Sequence, residues 1–322
     1  MELVPLRFEP IFRRYVWGGR RLHTLLGKPI GPEHDYAESW EIVDRDTVQS
    51  VVECGLYQGR TLGELCQRFG AALLGRHSTL ARFPLLFKFL DANRSLSVQV
   101  HPNDSYAAKR ASPDLGKTEA WVILHADPGS AIYAGLNPGC DRRTLEEAIR
   151  RGTTESCLHR FEPRPGDCVF LPAGTVHALG SGLVVAEVQQ SSDLTYRLFD
   201  WNRAGSDGLP RPLHVREALE VIDFVKGPVL PQNPRRTDLP HVERLVCCEH
   251  FVLDRWCFAQ PQALRVDDRF HLTAVIDGEV HISGDRLDVR LGRGDTALLP
   301  ASSPPVVFEP TTPCTMLDVY LP

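Results

Sequence analysis

No Cys-x-x-Cys pair occurs in this chain, and its nine cysteines are odd in number and scattered. Nothing in that spacing points to redox chemistry; thiols placed this way read as small core residues in a reduced cytoplasm. The adjacent Cys247-Cys248 alternates faces in a strand and reads as packing. No apolar run reaches the length of a membrane span. The first residues, Met1-Glu2-Leu3-Val4-Pro5-Leu6-Arg7, lack the basic-then-apolar pattern of a secretion signal. Basic clusters are missing too, and the net charge is −5, so neither nucleic acid nor an anionic membrane surface is suggested as a partner.

What remains is an ordinary soluble composition, 43% apolar and 24% charged, over 322 residues. That length carries a prior of about two domains. Helical signals are few. Thr61-Leu62-Gly63-Glu64 is a capping-box pattern followed by Leu65, Cys66, Phe69 and Leu73 at helical spacing. Thr144-Leu145-Glu146-Glu147 opens a second helix that stops at Gly152, and His214 to Asp223 forms a third. Strand signals dominate elsewhere: Pro84 to Phe89, Ala120 to Leu124, Cys168 to Leu171 and Leu183 to Val188. Asp277-Gly278 between two apolar runs predicts a two-residue hairpin. Residues 226–240 are proline-rich and without pattern, which predicts an interdomain linker.

A short segment occurs twice. Arg164 to Ala173 and Gly292 to Ala301 both read Gly-Asp, four residues, Pro-Ala, which is a turn, a buried strand and a second turn. Aligning the copies puts Pro305 where the first has His177. If both copies are barrels, only the first is expected to hold a metal.

Four side chains with metal-ligating chemistry surround the first copy: Gln99, His101, Glu119 and His177. The stretch Ser95 to His101 alternates polar and apolar. In a strand this puts Ser97, Gln99 and His101 on one face and Leu96, Val98 and Val100 on the other. A mixed nitrogen and oxygen set suits a divalent transition metal rather than calcium or magnesium. Glu187 and Gln189 also share one strand face.

Gly166 to His177 has the spacing Gly-x5-Pro-x-Gly-x2-His and resembles the second motif of cupins, small double-sheet β-barrels with a metal in the mouth. Ser181 stands where many cupins carry asparagine. The segments Val16-Trp17-Gly18-Gly19, Glu38-Ser39-Trp40-Glu41, Phe87 to Ala92, Leu96 to Asp104, Gly116 to Trp121 and Ser192 to Arg197 resemble the type I mannose-6-phosphate isomerases. The resemblance is close over roughly residues 10–205, and the chain matches the short bacterial form.

That resemblance implies a mainly β fold. It consists of two cupin-type jelly-roll β-barrels, with a few short helices attached to the N-terminal catalytic part. The expected division is a catalytic cupin domain over 1–230 and a cupin-like barrel without metal ligands over 231–322. The family places one Zn2+ per chain on the residues matching Gln99, His101, Glu119 and His177. It implies Lys117 as the proton-transfer residue between C1 and C2. His101 and Asp193 are its candidates for ring opening. Arg197 is its essential arginine, suited to phosphate or oxyanion, and Ser97 matches a phosphate-contacting serine. The substrate class is a sugar phosphate, and the setting cytoplasmic. Two other functions fit a cupin. A cupin dioxygenase favours histidine-rich sets and needs no Lys117 and Arg197 pair. A non-catalytic sugar-phosphate-binding cupin would not need Lys117.

Overall fold

Four β-sheets form the framework of the protein, stacked as two double-sheet sandwiches. The computed structural model describes residues 3–110, 114–204, 208–264, 267–284 and 287–322. The first sandwich pairs a six-stranded sheet with a five-stranded one. In spatial order the six are Ile11–Gly19, Tyr36–Ile42, Leu85–Ala92, Leu183–Gln190, Glu119–Ala126 and Cys168–Leu171. The five are Tyr196–Phe199, Val98–Val100, His177–Leu179, Ile132–Leu136 and Leu158–Phe161. The second sandwich repeats the plan with six strands between Arg235 and Tyr320 and four more facing them. All pairings among the described strands are antiparallel. The fold is thus mainly β and of the jelly-roll type. The described α-helices all precede Ile222 in sequence, and one of them, Ala71–Leu74, is tied to the second sandwich by Ala301 N to Leu73 O and Ser302 N to Ala72 O.

Alternation within the central strands sets what each face meets. In Leu85–Ala92, Phe87 and Phe89 point away from the first sandwich while Lys88 and Leu90 point into it. Val184, Ala186 and Val188 do the same on the next strand, and Ala120 and Val122 on the one after. These apolar residues form one core with Leu253, Leu272, Ala274, Leu317 and Val319 of the second sandwich. The two six-stranded sheets therefore pack back to back. Phe83 on Phe270, with ring centroids 4.7 Å apart, and a bridge between Leu6 and Leu298 extend this contact.

The first of the three expected helices forms over Leu62–Phe69 with both limbs of the Thr61–Glu64 capping box made. The second begins at Arg142, two residues before the expected start, because Asp141 caps it by accepting from Thr144 N. It ends at Gly152, whose φ of 71° is the left-handed stop. The third spans Val215–Val221.

Two local expectations fail. Asp277-Gly278 is not a hairpin: His271–Asp277 belongs to the six-stranded sheet, and Glu279–Gly284 to the facing one. The turn is a corner by which the chain changes sheets. Gly278 is needed there because φ is 79° and a Cβ would run into the Pro313 carbonyl oxygen. The second failure concerns Leu96. The regular strand covers only Val98–Val100, and Leu96 lines the cavity beside Ser97 instead of sharing a face with Val98 and Val100. The alternation breaks because the Leu96 backbone bonds elsewhere, its N–H to Leu179 O and its carbonyl to Trp201 Nε1.

Residues 226–240 run in largely irregular conformation, tied to the first sandwich by Val229 N to Ala134 O and Gln232 N to Cys168 O. All nine cysteines are free, and no described helix is long and apolar enough to cross a membrane.

Candidate active site

Three strands of the six-stranded sheet aim a row of charged and aromatic side chains into the first sandwich. Register places Glu187 between Lys88 on one neighbour and Trp121 on the other, with Gln189 opposite Glu119 one step along. The facing sheet contributes Gln99, which pairs with His177 on one side and Arg197 on the other. The result is a cavity of about 300 Å³. Ser97, Gln99, Lys117, Asp193 and Arg197 line it, together with Lys88, Glu187, Trp121 and Arg211.

At its base, His101, Glu119 and His177 bring three ligand atoms within 4.8 Å of one another. All three are essentially inaccessible to solvent. Glu119 Oε1 lies 3.1 Å from His177 Nε2, and Oε2 lies 3.7 Å from His101 Nε2. Each imidazole is oriented from behind. His101 Nδ1 donates to Leu194 O at 2.9 Å, and His177 Nδ1 donates to Thr175 O at 2.8 Å. That fixes the tautomer and leaves both Nε2 lone pairs facing Glu119. Trp121 packs edge-on against His177, 5.4 Å between ring centres.

This donor set fits a divalent metal. Glu119 is fully buried, and apart from the Lys117 ammonium 2.7 Å from Oε2 its oxygens face only the Nε2 atoms of the two histidines. Imidazole nitrogens and a carboxylate turned toward one buried point are the donor chemistry that a divalent cation takes up. Gln99 stands at the edge, its amide 3.4 Å from His177 Nε2. Flipping that amide presents Oε1 to the same point. Two imidazoles, one carboxylate and one amide oxygen make a four-ligand set of the kind zinc accepts.

Charge around the set is shared among buried partners. Lys117 Nζ lies 2.7 Å from Glu119 Oε2, 3.2 Å from His101 Nε2 and 3.6 Å from Glu187 Oε1. Burial opposes ionisation of Glu119, but Lys117 and the two histidines hold its pKa well below the usual carboxylate range. Burial, reinforced by Lys117, pushes His101 well below its ordinary value and keeps the ring neutral. Burial and the Glu119 charge raise Glu187. Trp121 Nε1 donates to Glu187 Oε2 at 3.0 Å.

Lys88 is one of two charged cavity residues that sequence reasoning missed. It is buried, 3.4 Å from both Glu38 and Glu187, and lies over the Trp40 ring. Burial works against its charge, yet Glu187 and Glu38 raise its pKa. The signal was present: a single lysine inside Leu85-Leu86-Phe87-Lys88-Phe89-Leu90 must be paired wherever that strand is buried. Arg211 was also missed. It grips Asp200 through Nε at 2.7 Å and Nη2 at 2.5 Å, and it shares the cavity wall with Arg197. Arg197 donates Nη1 to Pro212 O, while its buried Nε has no partner. Burial, helped by Arg211, lowers its pKa.

Every residue expected to form the site therefore faces this cavity or its base. Residues 6–128 match the model of the family described as phosphomannose isomerase type I, catalytic domain. Mannose-6-phosphate isomerase ManA of Bacillus subtilis is 37% identical over 307 residues, covering 93% of this chain and 94% of that one. The mannose-6-phosphate isomerase of Streptococcus mutans is 34% identical over 300 residues, 92% of each chain. The crystal structure of the Bacillus subtilis mannose 6-phosphate isomerase superposes with a TM-score of 0.90 at 31% identity, covering 98% of this chain and 99% of that one. With relatives this similar along nearly its full length, the chain belongs to the type I phosphomannose isomerases.

Proposed function

We infer that this protein is a metal-dependent aldose–ketose isomerase that interconverts mannose 6-phosphate and fructose 6-phosphate through an enediol. The observation that carries this reading is the meeting of a buried, metal-competent triad with a lysine at the base of a sugar-sized cavity. Family membership supplies the reaction.

The residues divide the work as follows in this proposal. His101, Glu119, His177 and Gln99 hold one Zn2+ per chain. When bound, that ion supplies positive charge that favours the enediolate oxyanion. Lys117 moves the proton between C1 and C2 from its place beside the triad. It is buried, and close contacts from Glu119 and His101 fix its amine at one point. Asp193, on the cavity wall, serves ring opening. His101 is the other candidate for that step, but its two nitrogens are taken by Leu194 O and the ligand set, so Asp193 is preferred. Arg197 and Ser97 receive the phosphate end of the substrate, and the planar fork of Arg197 suits it. Lys88, braced by Glu38 and Glu187, holds one ammonium at a fixed point on the cavity wall.

The catalytic part is taken as residues 1–230 and the second barrel, without metal ligands, as 231–322. A cytoplasmic setting fits the substrate class. The dioxygenase alternative is disfavoured by Lys117, which has no task there. The deciding experiment is a coupled assay on mannose 6-phosphate with and without a chelator, run beside elemental analysis of the purified protein. Chelator-sensitive turnover with about one zinc per chain is expected. Turnover indifferent to chelation would refute the metal role, and no turnover at all would leave a sugar-phosphate-binding cupin.

A further inference from the structure

The second sandwich has a cavity of its own, about 210 Å³, at the place where the first has its active cavity. Strand register makes the correspondence residue by residue. In the first sandwich Leu171 pairs with Glu119, and Glu187 pairs with Lys88 and Trp121. In the second, Leu299 pairs with His271, and Asp318 pairs with Asp254 and Thr273. His271 thus stands at the position of Glu119, Asp318 at that of Glu187, and Asp254 at that of Lys88.

These positions are again polar and buried: His271, Asp318 and Asp254 are 6%, 1% and 4% exposed. His271 Nδ1 meets both Asp318 oxygens at 2.9 and 3.0 Å, and its Nε2 reaches Asp267 at 3.3 Å. Arg244 forks onto Asp254 at 2.9 and 3.0 Å, and Tyr320 donates to Asp254 at 2.9 Å. Buried charge networks do little for net stability, and apolar residues of similar volume usually serve as well or better. A sandwich kept only as scaffold has no need of one lining an open cavity. A second observation is independent of these acids. Trp256, 3% exposed, lines the same cavity, and its Nε1–H has no hydrogen-bond partner.

The chemistry of the lining selects the ligand. An anion would meet Asp238, Asp254, Asp267 and Asp318, with Arg244 and His271 already neutralised by them. An ammonium group could satisfy carboxylates but offers no acceptor to Trp256 Nε1. A hydroxyl both donates and accepts. Trp256, Leu239 and Leu264 add apolar surface against which the C–H face of a ring can pack. We propose that the second sandwich binds an uncharged, polyhydroxylated small molecule, of the size of a single unphosphorylated sugar ring, between the Asp254–Arg244 and Asp318–His271 pairs and Trp256.

The test uses the full-length, metal-loaded protein, with methyl α-mannoside and myo-inositol as neutral probes and inorganic phosphate and spermidine as charged ones. Binding is read by calorimetry and by tryptophan fluorescence in the presence of saturating mannose 6-phosphate, which fills the first cavity. Saturable binding of a neutral probe is expected, weakened about tenfold by Trp256→Phe, the size of one lost hydrogen bond to a buried donor. Asp238→Arg, a change at the exposed rim that lets a guanidinium reach the carboxylates, should abolish it without affecting folding. Isomerase kcat should stay unchanged in both variants. The proposal is overturned if no neutral probe saturates, if binding survives Asp238→Arg, if mannose 6-phosphate displaces the probe, or if phosphate or spermidine binds more tightly than either neutral probe.

Discussion

The two sandwiches place charged groups at the same register positions and obtain different environments, one balanced in charge and one rich in acid. In the first, Lys88, Lys117 and Arg197 face Glu38, Glu119 and Glu187, and two imidazoles complete the base. In the second, Asp254, Asp267 and Asp318 outnumber Arg244 and His271. The critical exchange is at one point. Glu119 meets two histidine Nε2 atoms and a lysine, while its counterpart His271 has both nitrogens occupied by carboxylates. A ring bonded on both sides has no lone pair to give a metal. The difference shows that metal competence depends on what stands behind each ligand. The carbonyls of Leu194 and Thr175 turn the first pair of histidines outward to their task, and Asp318 turns His271 away from it.

The comparison breaks most severely at His177. His177→Ala should remove bound metal and lower kcat/KM about 10³-fold or more, the equivalent of several kcal/mol of lost charge stabilisation. Metal analysis and steady-state kinetics check both parts. Next is Lys117→Ala, expected to cost about 10² to 10⁴ in kcat, the range of a lost acid–base group, with metal content near that of the wild type. Full activity in that variant would remove Lys117 from the mechanism.

His271→Leu tests the second sandwich. Burial lowers the pKa of His271, but Asp318 and Asp267 outweigh it and raise it to about 10. A histidine raised on folding stabilises fully below its unfolded value of about 6.5. That contribution fades as pH climbs and is gone above about 10. Denaturant unfolding across this window should show wild-type stability falling with pH. The variant, about 2 kcal/mol less stable near neutrality, should show a flatter profile. Trp121→Phe removes the donor to Glu187 while keeping the ring against His177, and should lower kcat by about tenfold at most. The smallest effect is the sharpest for the comparison. Pro305→His restores a histidine where the repeat lacks one, and should add no bound metal, because His271 remains closed by its two carboxylates.

Much of the first site was legible because its signals are local. Gln99 and His101 lie two residues apart, and so do Lys117 and Glu119. The Pro-x-Gly turn delivers His177 from the next segment. Lys88 and Arg211 were not found for a different reason. Their partners are Glu38, Glu187 and Asp200, and only sheet register or a folded loop brings these together. The corner at Gly278 misled because Asp-Gly specifies a tight reversal of backbone, not which sheet receives the next strand. The second cavity was illegible for a related reason. Asp254, His271 and Asp318 are spread over 65 residues of chain and meet only through strand pairing.

The back-to-back contact between the six-stranded sheets carries a consequence for folding as a process. Phe87, Phe89, Val122 and Val188 grow from the same strands that hold Lys88, Glu119 and Glu187, and they share one core with Leu253, Leu272, Leu317 and Val319 of the second sandwich. A chain emerging from synthesis with residues 1–230 complete would expose that aromatic face until the remainder arrived. The two halves should therefore melt in one cooperative transition, and the catalytic half made alone should be insoluble. On this view the last strands of the chain complete the active site without touching it.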